Sequence, residues 1–119
     1  MNDNVQQLTE WFNANRGQQL LINKEELEVG TGQVSDHDQV RLWLEKVTLR
    51  QLEKEDAEHY LASQEVLLYG RGIVHSEAGE APLPQQVYEI PLQGHINLSH
   101  QERNMRIQTE RARYTIQVE

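Results

Sequence analysis

Residues 66–76 read Val-Leu-Leu-Tyr-Gly-Arg-Gly-Ile-Val-His-Ser, an apolar run with two glycines set into it. A phosphate-cradling loop would have to follow a strand, open a helix, and carry either a third glycine or a Gly-Lys-Ser/Thr ending. No third glycine stands in place, no lysine follows, and Ile73-Val74-His75 continues the apolar pattern. We therefore read a strand. Val66, Leu68 and Val74 share one face with Gly70 and Gly72, while Leu67, Tyr69 and Ile73 share the other with Arg71. Large apolar groups on both faces mark a central strand. Two glycines on one face mark coiling, a bulge, or the close approach of another element. They leave a shallow groove that a helix side chain such as Trp11 or Phe12 can fill.

A helix to fill it is written at the start. Over 3–16, Val5, Leu8 and Phe12 recur every three to four residues with Trp11 beside them. Asp3 or Asn4 suits the N-cap, and Gly17 suits a left-handed C-cap. After Gly17 the grammar changes. Residues 18–30 hold short apolar pairs around Asn23-Lys24-Glu25, either one irregular strand or a tight hairpin, and 30–38 has the composition of a loop. Residues 39–52 place Val40, Leu42 and Leu44 on one parity and Val47 and Leu49 on the other. A strand there needs a bulge near Glu45-Lys46. The alternative is a helix carrying Val40, Trp43, Leu44 and Val47, but its stripe fails at Gln51 and the composition favours the strand.

Residues 53–63 fit a short helical turn or a charged hairpin loop. Residues 76–86 connect two strands through Pro82 and Pro84, an extended path and a candidate contact site. From Val87, Tyr88, Ile90, Leu92, Ile96 and Leu98 all fall on even positions, which predicts one bent strand or a hairpin with a three-residue loop. Pro91 argues for an edge or a bulge. Residues 104–118 make a hairpin closed by Thr109-Glu110-Arg111-Ala112. That turn pairs Ile107 with Tyr114 and Met105 with Ile116, and Gln108 with Arg113 and Arg106 with Thr115 on the opposite face.

The chain has 119 residues, which fits a single domain over 1–119. Cysteine is absent, which removes thiolate chemistry and disulfides and suits a reducing compartment. The first residues lack a basic and an apolar region, so no signal peptide is expected, and no run approaches a membrane span. The net charge is −8. Residues 1–98 carry 7 Lys and Arg against 16 Asp and Glu, and residues 99–119 carry 4 against 3. An acidic chain repels nucleic acid and anionic membrane, and only its C-terminal part favours an anion locally.

Chemistry-bearing constellations are few. Asp36-His37-Asp38 offers oxygen and imidazole ligands, yet adjacent residues seldom converge on one ion, and turn or cap roles explain the aspartates. Ser76 beside His75 points to the opposite strand face, and no nucleophile elbow is present. We assign no catalytic, cofactor or metal residues. Arg106 and Arg113 project from the polar face of the C-terminal hairpin with Arg111 at its turn. They are candidates for an acidic partner, with charge pairing to Glu89, Glu102 or Glu110 as the plainer alternative.

The sequence thus predicts an α+β, mainly β fold: an N-terminal amphipathic helix on a curved antiparallel sheet of five to seven strands over 18–118, with barrel-like closure as one arrangement. The expected function is that of a cytoplasmic interaction or assembly protein, not an enzyme and without cofactor. It would bind an unidentified protein or itself through Arg106, Arg111, Arg113, Pro82 and Pro84. The alternative is a small apolar ligand in a curved-sheet pocket lined by Trp11, Phe12, Leu68, Gly70, Gly72, Tyr88 and Ile90. A third reading is an enzyme using His75 or His95 with a carboxylate.

Overall fold

The structure, a computed structural model, describes residues 3–28, 30–31, 33–51, 64–92 and 94–119. The segment 53–63 lies outside the described residues. Among the described residues a helix, α1 (Asp3–Ala14), precedes ten strands: β1 (Gln19–Leu27), β2 (Val34–Trp43), β3 (Lys46–Gln51), β4 (Gln64–Tyr69), β5 (Gly72–Ser76), β6 (Gly79–Pro82), β7 (Val87–Leu92), β8 (Asn97–His100), β9 (Asn104–Gln108) and β10 (Ala112–Val118). A 3-10 turn, Pro84–Gln86, leads into β7. The architecture is mainly β, with one N-terminal helix packed on a large antiparallel sheet that stays open and does not close into a barrel.

Among the described residues the large sheet has seven strands in the order β6-β5-β2-β1-β10-β9-β8, and a second sheet has three, β3-β4-β7. Residues 39–43 and 46–51 form strand, not helix. The expected loop at 30–38 is shorter, because β2 already begins at Val34. Residues 19–27 form one strand rather than a hairpin.

The two sheets are joined by a bent ribbon. In the large sheet β2 pairs with β5, Leu42 opposite Gly72 and Gln39 opposite His75. In the small one β3 pairs with β4, Lys46 opposite Tyr69 and Gln51 opposite Gln64. Between these ladders stand three residues on one strand, Trp43-Leu44-Glu45, against two on the other, Gly70-Arg71. One extra residue makes a β-bulge, which bends the strand and turns its side chains over. The bond pattern runs through the bend: the Trp43 N–H donates to the Arg71 carbonyl at 2.9 Å and the Glu45 N–H to the Tyr69 carbonyl at 2.8 Å. The glycines of the opening run are therefore the corner where a strand pair passes from one sheet to the other. The parity switch between Leu44 and Val47 is the same corner on the opposing strand. The run 66–76 is thus two strands. Its first half, β4, is central, and Glu65, Val66, Leu67 and Leu68 are all buried there.

The helix stripe Val5, Leu8, Trp11 and Phe12 enters one core with Leu20, Ile22, Val40 and Leu42 of the large sheet and Val66, Leu68 and Ile90 of the small one. Gly17 sits at φ 88° after the helix, and its N–H donates to the Leu44 carbonyl at 2.7 Å. The end of the helix is so tied to the ribbon corner. Trp11 Nε1 donates to the Gln101 carbonyl at 2.8 Å, and the Trp11 and Phe12 rings meet edge-on at 5.3 Å. Across the small sheet Arg50 reaches Glu65 at 2.6 Å and Glu89 at 3.3 Å.

The C-terminal hairpin has the expected register, Ile107 opposite Tyr114 and Met105 opposite Ile116. β7 and β8, expected as one bent strand or a hairpin, form neither. β7 pairs with β4 in the small sheet and β8 with β9 in the large one.

Candidate functional site

The bulge that bends the ribbon also brings two side chains to its outside. Trp43 ends β2 and Arg71 lies between β4 and β5, and the guanidinium stands 5.8 Å from the centre of the indole ring. Trp43 is 37% exposed, as is Ile73 on the neighbouring strand. Together with Gly72, Pro82, Leu83, Gln85 and Gln86 they line an open groove of about 700 Å³.

The groove floor exists because residue 72 is glycine. A Cβ there would lie 3.1 Å from the Arg41 carbonyl oxygen and 3.2 Å from Leu83 Cδ2. Leu83, and neither Trp11 nor Phe12, is thus what lies against Gly72. The far rim is held in an uncommon backbone state. Gln85 and Gln86 have φ of 57° and 56°, the left-handed region that costs about 1–3 kcal/mol per non-glycine residue. Hydrogen bonds hold them there. Gly70 N–H donates to the Gln86 carbonyl at 3.0 Å, Gln86 N–H to the Leu83 carbonyl at 3.2 Å, and Leu83 N–H to the Gly72 carbonyl at 2.9 Å.

The lining carries one formal charge, that of Arg71, and no carboxylate, in a chain with 19 acidic residues. Among the described residues Arg71 has no carboxylate partner. Arg41, Arg50 and Arg113 do, at 2.9 Å to Glu119, 2.6 Å to Glu65 and 2.9 Å to Glu25. Such a site can hold an apolar or planar group against Trp43 and Ile73 and present two amides and a cation to polar atoms. Among the described residues its lining holds no hydroxyl, thiol, imidazole or carboxylate.

Of the residues singled out in the sequence, Pro82 and Gly72 line this groove, and Pro84 opens the turn that forms its rim. Gly70 lies under the Trp43 carbonyl at the corner. Trp11, Phe12, Leu68 and Ile90 are buried in the core. Tyr88 packs against that core with its hydroxyl buried, and among the described residues no partner accepts or donates to it. Burial, followed by the fields of Tyr114, Asp38 and Glu26, holds the Tyr88 phenol well above its ordinary pKa.

Arg106 and Arg113 share the outer face of the large sheet. Arg113 pairs with Glu25 of β1 and not with the acids nearer in sequence. Arg106 faces a shallow depression with Ser99, His100, Asn104 and Thr115, while Arg111 lies at the hairpin end beside Pro91 and Tyr114. The three do not converge. Among the described residues no three histidines or acids are placed to hold a metal ion. His75 Nδ1 lies 2.9 Å from Glu80 on the open outer face.

Trp43, Arg71, Gln85 and Gln86 were not singled out by the sequence reading. The parity switch between Leu44 and Val47 and the Gly-Arg-Gly run each mark the bulge, but that they face one another, and that the turn at 84–86 closes the groove, follows only from the strand pairing.

Fold and groove define a class: a two-sheet, mainly β chain with one N-terminal helix, whose open groove lies at the corner between the sheets. The chain belongs to the YmzB-like protein family, whose profile matches residues 1–119. It is 39% identical over 113 residues to the uncharacterized protein YmzB of Bacillus subtilis (strain 168), covering 95% of this chain and 93% of that one. No solved structure matches. Among the described residues no helix is long and apolar enough to cross a membrane.

Proposed function

We propose that the protein is a non-enzymatic, cytoplasmic interaction domain that grips a segment of a partner protein in the groove at the ribbon corner. The observation that carries this reading is the pairing of two exposed large apolar side chains, Trp43 and Ile73, in one groove beside a guanidinium with no carboxylate partner among the described residues. Tryptophan and arginine are the residues that most often dominate binding energy at protein interfaces. The rim of two left-handed glutamines supports the same reading, since backbone strain is kept where a site requires it. The absence of cysteine is consistent with the compartment.

A defined complex reconstituted from purified partners is the test. Trp43→Ala should weaken it by about 2 kcal/mol, roughly thirtyfold in Kd. A complex indifferent to Trp43→Ala would move the interface away from the groove. A second reading, a small apolar ligand, is favoured by one observation: the groove volume falls within the range of about 300–1,000 Å³ usual for ligand sites. Native mass spectrometry separates the two, since a small-molecule increment that Trp43→Ala removes would favour the ligand.

A further inference from the structure

We propose that the groove is built for a polypeptide segment carrying a single carboxylate beside large apolar residues, with Arg71 as the group that receives the carboxylate. This rests on the interaction reading above and specifies its chemistry. Three observations support it. First, the lining is purged of acid: none of its eight residues is Asp or Glu, although acids outnumber Lys and Arg by 19 to 11 in the chain. Second, Arg71 has no carboxylate of its own among the described residues, a lack it shares with Arg106 and Arg111, and of these three it alone lines the groove. Third, the guanidinium is already oriented. It stands 5.8 Å from the Trp43 ring centre on a residue whose carbonyl accepts the Trp43 N–H at 2.9 Å. A guanidinium held over an indole face keeps its donors for a carboxylate, and the freedom that contact already restricts is not lost again on binding.

The rest of the groove fixes the body of the ligand. Trp43, Ile73, Pro82 and Leu83 are surfaces for aliphatic or aromatic side chains, and the amides of Gln85 and Gln86 suit peptide carbonyl and N–H groups. An open trough beside the edge strand β6 fits an extended chain better than an enclosed small molecule. The chain's net charge of −8 limits the ligand to about one negative charge, because a run of acids would meet the repulsive field of the whole surface.

The test uses the full chain and a panel of acetylated, amidated tetrapeptides. Each holds one aspartate among leucine, isoleucine, phenylalanine or tryptophan-free combinations of these, with an asparagine counterpart. Trp43 reports binding through its emission, and Trp43→Phe identifies the signal against that of the buried Trp11. We expect saturable binding in which asparagine for aspartate costs at least tenfold. That difference should shrink with added salt and vanish in Arg71→Gln, with Arg71→Lys intermediate. Arg71 is exposed and its contact with the Trp43 ring lies at the surface, so far-ultraviolet circular dichroism and the urea midpoint should match between variants and parent. Equal affinity for the aspartate and asparagine peptides would overturn the carboxylate assignment and leave the groove reading standing. A carboxylate preference that survives Arg71→Gln would place the anion site elsewhere and overturn it as well. Absence of any emission change up to millimolar peptide would overturn both.

Discussion

A methyl group at position 70 would have to occupy the space held by the Trp43 carbonyl, and the backbone on both sides of that contact is fixed by ladder bonds. Gly70→Ala should therefore destabilise by at least ~2 kcal/mol, the usual scale of a backbone forced aside in a packed region. Gly17→Ala, in open space at φ 88°, should cost only about 1 kcal/mol of conformational strain. Urea denaturation of the two variants decides this, and equal losses would show that the corner yields. Tyr88 gives a residue-scale prediction of opposite sign. Its buried hydroxyl has no partner among the described residues, so Tyr88→Phe should stabilise by about 1 kcal/mol at neutral pH. Burial raises the folded pKa of this phenol, and that of Tyr114, above the unfolded value of about 10. The neutral phenols' contribution is then complete below pH 10 and lost as the pH climbs past it. Tyr88→Phe should move the onset of alkaline unfolding upward. A variant less stable than the parent at pH 7 would reveal a partner for the hydroxyl.

At the scale of elements, the C-terminal hairpin is held by its turn as well as its register. The buried Thr109 hydroxyl accepts from the Arg111 N–H at 3.2 Å and the Ala112 N–H at 3.1 Å. Thr109→Val should cost about 1–2 kcal/mol in thermal melts, with Thr109→Ser recovering most of it, since the hydroxyl is the part that matters. This hairpin was legible residue by residue, because its two strands are neighbours in sequence and alternate cleanly between Met105, Ile107, Tyr114 and Ile116 and their polar partners. The helix was legible for a similar reason, and the break after Trp43 showed as a change of parity. Parity is blind to which strand lies alongside. Residues 88 to 98 keep their even positions, yet β7 and β8 go to different sheets. The groove was hidden by the same blindness: Trp43 and Arg71 meet only because β2 pairs with β5 around a bulge, and nothing local states that pairing.

At the scale of the molecule, the large sheet is joined along its middle by β1 and β10, with Leu20 opposite Val118 and Ile22 opposite Ile116. Its other neighbours are mostly hairpins. The central seam brings together strands separated by nearly the whole chain, and contacts of that kind are slow to form because a long loop must close first. Ile22→Val and Ile116→Val, each costing about 1 kcal/mol, should accordingly speed unfolding and leave the folding limb of the chevron almost unchanged. Slower folding instead would put the seam in the nucleus. Until that seam closes, β1 and β10 are both open edges in the interior of an unfinished sheet, rich in Leu20, Leu21, Ile22, Ile116 and Val118. Refolding yield should then fall as protein concentration rises, because a strand of another copy can take the vacant place before the chain's own end arrives.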